Sequence, residues 1–316
     1  MCSRHPRRTT RTDTAIPLTV VAGFLGSGKT TLVNHILRDV AGVRAAVLVN
    51  DFGALDVDAA LIENAHGETI ALSNGCVCCS IGGDLTAALI RVLERSPAPD
   101  WIVIEASGVS DPWPIAQVAL ADPALVLDGV IVLADAAAIH GLADDARLRD
   151  TILRQLAAAD IIVLNKAELV APEELESLKQ WIATITPAPV IAAVEANVPV
   201  EVLTGIAVQR EDPGRRNAAA HDHLFESVAL SFDGSFDVIR LRAFLDARPP
   251  GVLRLKGVVR TTQCARVNVQ YAGRRGRLRR LAGPPVTTSQ LVAVGLKGEV
   301  ARHCLRAALL AAQVEA

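Results

Sequence analysis

Gly23-Phe-Leu-Gly-Ser-Gly-Lys-Thr30 and Cys76-Val-Cys-Cys79 are the two segments of this 316-residue chain whose residue types and spacing imply chemistry. The first has the spacing G-x-x-x-x-G-K-T. Gly23, Gly26 and Gly28 let backbone N–H groups turn inward around phosphate oxygens, and the N-terminus of a following helix adds its dipole. Ser27 and Thr31 complete the phosphate-contacting run. Lys29 is placed to neutralise the β and γ phosphates, and the Thr30 hydroxyl to meet a bridging Mg²⁺. The bland alternative is a glycine-rich turn with its lysine in solvent. A predicted strand before the loop and a predicted helix after it separate a phosphate loop from such a chance match.

Three thiolates within four residues, Cys76, Cys78 and Cys79, can gather on one ion, and sulfur favours Zn²⁺, Cu(I) or Co²⁺ over Mg²⁺. Zinc usually takes four ligands, so three leave a position open, which suits a transferable ion better than a permanent structural one. The alternatives are a redox-active thiol cluster and a set of merely buried cysteines.

Two further segments lie at the ends of apolar runs. In Trp101-Ile-Val-Ile-Glu105-Ala-Ser-Gly108, Glu105 ends a predicted buried strand, where it would face the Mg²⁺ and the attacking water. Gly108 would offer its N–H to the γ-phosphate, as a switch that relaxes on hydrolysis does. Asn165-Lys166-Ala-Glu168 stands where GTPases read guanine with N-K-x-D. The extra methylene of Glu168 leaves the carboxylate's chemistry unchanged, so GTP is expected over ATP, but it moves the carboxylate outward, so the backbone must withdraw to keep both base hydrogen bonds. Taken alone, this tetrapeptide also fits a strand end followed by a solvated helix start.

The elements that must position these residues alternate. Residues 16–22, 45–49, 101–104, 129–133, 161–164 and 190–193 are short, unbroken and rich in β-branched residues, as buried parallel strands are. Helical patterns lie between them at 30–38, 85–95 and 172–185. This predicts an α/β fold with a doubly wound, mostly parallel sheet and ligands at the carboxyl ends of its strands. Residues 209–222 are polar and contain Pro213 and Gly214, the marks of a linker. The pattern then restarts with strands at 226–232, 251–259 and 267–271 and a helix at 236–247, predicting a smaller α+β domain over 223–316 after a nucleotide-binding domain over 17–208. Residues 1–16 read as a disordered basic tail.

Composition narrows the function classes. A chain 51% hydrophobic and 21% charged with net charge −2 can build a sizeable core. Only 3% is aromatic, which leaves little for base stacking, so nucleic acid is not an expected partner. Asp128 and Asp135 interrupt the run from Val126 to Ile139, and no apolar stretch reaches membrane-spanning length. The arginine-rich start lacks the apolar region of a secretory signal, and closely spaced cysteines make poor disulfide partners, so a reducing cytoplasm is expected. Cys264 and Cys304 read as core residues, and the pair His221 and His223 as an auxiliary metal contact or a solvated linker. Between Asp246 and Glu299 there is no acid and eleven Lys or Arg, a field suited to an acidic protein surface.

The stretches GFLGSGKTTLVNHIL, VNDFG, LSNGCVCCSIGGDL, VIEASGVSDP and QLAAADIIVLNKAEL, with HDHLFESVALSF and LRLKGVVR, resemble the CobW-like family of P-loop GTPases. The resemblance covers nearly the whole chain from Leu18. It implies a Mg²⁺-dependent GTPase that binds Zn²⁺ or Co²⁺ through the cysteines and delivers it to a client apo-metalloprotein. It also implies that Asn50 to Gly53 form the first switch, with Asp51 near the nucleotide, and that Glu105 is the catalytic-site acid. Asp135 and Gln155 match family positions without a role derivable from sequence. Two departures stand out: Glu168 replaces the usual Asp, and the linker lacks a long histidine tract, which argues against bulk metal storage. Readings from other classes are a GTP-gated metal-responsive module without transfer, and a thiol redox switch.

Overall fold

Short β-branched runs stack side by side in a parallel sheet because each is apolar on both faces and must be covered on both. The computed structural model describes residues 15–40, 42–50, 68–72, 81–205, 225–281 and 283–314. Its first sheet has seven strands in the order β3-β2-β4-β1-β5-β6-β7, all paired in parallel. They are β1 (Ile16–Gly23), β2 (Ala45–Asn50), β3 (Glu68–Leu72), β4 (Trp101–Glu105), β5 (Leu125–Asp135), β6 (Ile161–Asn165) and β7 (Val190–Ala192). The order reverses at β1, so the loop after β1 opens at a topological switch point, where α/β sheets bind ligands.

The two faces of this sheet are covered differently. One packs against α2 (Ile81–Leu93), α3 (Trp113–Ala121), α4 (Ile139–Asp144), α5 (Arg149–Ala158) and α6 (Pro172–Ile185). On the other face lie α1 (Lys29–Asp39), through Leu32, Val33 and Ile36, and the single turn α7 (Val200–Leu203). That apolar layer is extended by Leu253, Phe225, Val294 and Leu296 from the second sheet.

The second sheet is antiparallel, ordered β11-β10-β9-β12-β8. Its strands are β8 (Phe225–Phe232), β9 (Val252–Val259), β10 (Val267–Ala272), β11 (Arg275–Arg280) and β12 (Ser289–Leu296), with α8 (Val238–Asp246) and α9 (Arg302–Ala311) over one face. The Asp237 carboxylate caps α8 by accepting from the Arg240 N–H at 2.9 Å.

The two units meet through buried charges on an apolar seam. β5 carries one extra residue against β1, where Leu18 pairs Leu127 but Thr19 pairs Gly129; the extra residue is Asp128. Far from interrupting a strand, Asp128 is buried within it. Its carboxylate accepts from the Thr19 hydroxyl at 3.2 Å, the Gly205 N–H at 2.8 Å and the Arg254 guanidinium. Asp160, just before β6, accepts from Arg275 Nε at 2.5 Å and Arg274 Nε at 3.2 Å. Arg275 also lies over the Trp113 ring, 4.7 Å from its centroid. Three cations of the acid-free stretch are thus engaged inside the molecule.

Cys304 is exposed on α9 rather than in the core, because the buried stripe of that amphipathic helix is Leu305 and Leu309. Cys264 is half-buried and packs against the core of the second sheet. Among the described residues, no helix is long and apolar enough to cross a membrane.

Candidate functional site

The glycines of the loop after β1 are required by space as well as by conformation. Gly28 has φ +101° and would direct a Cβ to 2.5 Å from Asn165 Nδ2. At Gly23, with φ +138°, a Cβ would collide with the Leu133 carbonyl oxygen. The loop is pinned from across the sheet: Asn165 Nδ2 donates to the Ser27 carbonyl at 2.9 Å, and Asn165 Oδ1 accepts from the Ala196 N–H at 2.6 Å. Asn165 therefore ties the loops after β1, β6 and β7 together.

Lys29 opens α1 and is largely buried; its ammonium donates to the Phe24 carbonyl of the same loop at 3.2 Å. Next to it, Thr30 Oγ1 donates to Glu105 Oε1 at 2.9 Å, joining the start of α1 to the end of β4. Glu105 is only 2% exposed. A hydroxyl beside a carboxylate is an all-oxygen donor set that fits Mg²⁺. The hydroxyls of Ser27, in the same loop, and of Ser107, two residues beyond Glu105, are buried without hydrogen-bond partners among the described residues, as groups awaiting a polar ligand are. A bound Mg²⁺ would supply positive charge to phosphate oxygens there.

Gly108 follows Glu105 in a tight approach to the loop after β1, since a Cβ on it would meet the Leu25 side chain at 2.5 Å. Gln155, buried on α5, donates to the carbonyls of Gly108 at 3.1 Å and Ser110 at 3.0 Å. Its role as the brace of this segment depends on a contact 47 residues away in sequence. Gln155→Leu leaves both carbonyls without their donor, so stability is expected to fall by about 1–3 kcal/mol. A urea midpoint matching that of the parent protein would refute the brace.

At the base side, Lys166 has a left-handed backbone, φ 59°, and leads into the 3₁₀ turn Ala167–Leu169. Its ammonium pairs with Asp135 at the end of β5, 2.6 Å away, which gives Asp135 the role its sequence position did not reveal. Glu168 is exposed on that turn. Thr31 follows Thr30 on the first turn of α1. Asp51, Cys76, Cys78 and Cys79 lie outside the described residues, as do His221 and His223; among the described residues no cluster of His, Cys, Asp or Glu could hold a metal ion.

A parallel sheet with a glycine-built phosphate loop at its switch point, a Thr and a Glu joined beneath it, and an N-K-x-E segment tied to the loop define a P-loop GTPase. Residues 17–192 match the nucleotide-binding domain described as CobW/HypB/UreG, and residues 225–313 match the cobalamin synthesis protein cobW C-terminal domain. The chain belongs to the CobW family of P-loop GTPases.

Relatives include a protein of Sinorhizobium sp named zinc chaperone CobW. It is 32% identical over 277 residues, covering 77% of this chain and 78% of that protein. The zinc chaperone YjiA of Escherichia coli is 37% identical over 198 residues, 60% of each chain. The zinc-regulated GTPase metalloprotein activator 1 of Schizosaccharomyces pombe is 37% identical over 180 residues, 54% of this chain and 43% of that one. The crystal structure of Zn(II)-bound YjiA GTPase from E. coli covers 95% of this chain and 100% of its own at 23% identity and a TM-score of 0.46.

Proposed function

We propose that this GTPase is a metallochaperone. It binds Zn²⁺ or Co²⁺ through Cys76, Cys78 and Cys79 and passes the ion to a client apo-metalloprotein under nucleotide control. The observation that carries the reading is one of placement. The cysteines fall between the carboxyl end of β3 at Leu72 and the start of α2 at Ile81. β3 pairs in parallel with β2, in the sheet whose carboxyl ends carry the phosphate loop and Glu105. A change of nucleotide state is therefore communicated at the same edge of the sheet from which the cysteine segment leaves. The zinc named in the relatives supports the choice of ion.

In this reading Gly23, Gly26, Ser27, Gly28, Lys29 and Thr31 hold the GTP phosphates, and Thr30 with Glu105 holds Mg²⁺ and orients the attacking water. Gly108 contacts the γ-phosphate, Asp51 senses it from the first switch, and Asn165, Lys166 and Glu168 frame the guanine. Hydrolysis relaxes the switches and opens the thiolate site to the client. The client presents an acidic surface to the arginines of the second sheet that remain outside the domain seam. Thiolates kept reduced are necessary for this chemistry, which places the protein in the cytoplasm.

Linkage requires GTP to raise metal affinity by the same factor by which metal raises GTP affinity. Zinc and cobalt affinities measured with GDP and with a non-hydrolysable GTP analogue are expected to differ about 5- to 150-fold, the GTP state being tighter. Equal affinities would remove the coupling, and unchanged affinity after Cys76, Cys78 and Cys79 are all replaced by Ser would remove the ligand assignment.

A further inference from the structure

Arg254, Lys256, Arg275 and Arg277 line a narrow crevice, open to solvent, where the second sheet meets β5. Strand register sets them in rows. In one row Arg254 stands opposite Ala272 and Ala272 opposite Arg275; in the next, Lys256 stands opposite Gln270 and Gln270 opposite Arg277. The first row is engaged, Arg254 with Asp128 and Arg275 with Asp160. The second row is not: among the described residues no carboxylate lies within ion-pair distance of Lys256 or Arg277, and Glu201 and Asp128 attract Lys256, and Asp160 and Asp128 attract Arg277, only from farther away. Burial pulls the Lys256 ammonium and the Arg277 guanidinium below their ordinary values, and the neighbouring Arg254 and Arg275 add to this. Two like charges half out of water, with carboxylates acting on them only from a distance, are costly, and a bound anion in contact with both reduces that cost.

We infer that this crevice is a binding site for a phosphate-type oxyanion, held by Lys256, Gln270 and Arg277 at the boundary between the two sheets. Lys, Arg and the Gln amide present N–H donors from three adjacent strands spaced about 4.8 Å apart, so the long Lys256 and Arg277 side chains, two strands apart, can close on one tetrahedral group from either side of Gln270. A dianion balances both second-row cations, whereas a carboxylate balances one. The site is separate from the phosphate loop. It borders Leu127 to Gly129 near the amino end of β5, while the loop follows the carboxyl end of β1. It is independent of the metal-delivery reading.

The test uses the full chain saturated with a non-hydrolysable GTP analogue and Mg²⁺, so that the phosphate loop is filled through its γ position, and titrates inorganic phosphate by calorimetry with Tm as a second readout. Saturable binding at one site and a rising Tm are expected. Lys256→Met and Arg277→Gln should each weaken phosphate about ten- to a hundredfold, with affinity for the analogue unchanged, and Lys256→Arg should retain binding. Glycerol phosphate distinguishes the sources: tighter binding than free phosphate assigns a phosphomonoester, weaker binding the free ion. The inference is overturned if the parent protein shows no saturable binding. It is equally overturned if acetate binds as tightly as phosphate, or if both neutralising variants bind phosphate as the parent does.

Discussion

Lys29→Ala is expected to lower the rate of GTP hydrolysis by about 10²–10³-fold, the typical cost of deleting one preorganised electrostatic donor from a site where negative charge develops. The ammonium of Lys29 is held inside the loop by the Phe24 carbonyl, already desolvated and fixed at the start of α1. Such a charge requires little reorganisation when phosphate arrives. The loop itself should survive the substitution, because its shape rests on Gly23 and Gly28 and on the bond from Asn165 to the Ser27 carbonyl. Single-turnover hydrolysis and equilibrium binding of GTP separate the two contributions. A loss in rate of less than about fivefold, with GTP bound, would show that the positive charge acts elsewhere.

Asp128→Ala is expected to destabilise the protein by about 3–5 kcal/mol, since it strands a buried guanidinium. Arg254 is enclosed at the seam, with its other donor on the Leu203 carbonyl, and burial already pulls its pKa down against the opposing pull of Asp128. The same substitution removes the acceptor of the Gly205 N–H and of Thr19, whose hydroxyl accepts in turn from Trp101 Nε1 at 3.0 Å. Chemical denaturation of Asp128→Ala, Arg254→Met and the double variant forms the test. The double variant should be more stable than Asp128→Ala alone, because it no longer buries an unmatched cation. Additive losses would indicate that the two groups act independently. Hydrolysis under conditions where the variant stays folded should be close to that of the parent. Asp128 and the site lie toward opposite ends of the strands, Asp128 and Asp135 being seven residues apart in β5, or about 23 Å.

The parallel strands were legible because each is an unbroken β-branched run, and helix α6 was legible to the residue because Pro172 starts it and its apolar period is clear. β3, with the sequence ETIAL, is too short and too plain to separate from its surroundings. Helix α2 begins four residues before its periodic pattern suggested, since Gly82 and Gly83 read locally as breakers. β12 and α9 were not anticipated at all, although β12 is the strand that joins β8 to β9.

At the site, the glycines, Lys29, Thr30 and Glu105 carry their chemistry in residue type and position relative to a strand end, so sequence alone singled them out. The partners Asp135 and Gln155 did not, because an Asp that answers Lys166 and a Gln that braces Gly108 acquire their meaning only across the fold. The same holds for the acid-free stretch. Its arginines look alike in sequence, yet Arg254, Arg274 and Arg275 turn inward to Asp128 and Asp160.

The extra residue in β5 has a counterpart. β9 also carries one, since Gly295 pairs Val252 while Val294 pairs Arg254, leaving Leu253 between them. Both insertions sit at the seam, Leu253 in the apolar layer of the first sheet and Asp128 in the ion pair with Arg254. They act as indexing marks. Loss of the residue in β9 would restore strict alternation with Val252 and Leu255 still on the core face of the second sheet, but it would remove Leu253 from the apolar layer of the first. Deleting either extra residue would cost a seam contact and leave the flanking residues on their own faces, whereas a single-residue deletion elsewhere in β5 or β9 would turn every residue beyond it to the opposite face. The pairing of the two units is thus written in strand length as well as in side-chain identity.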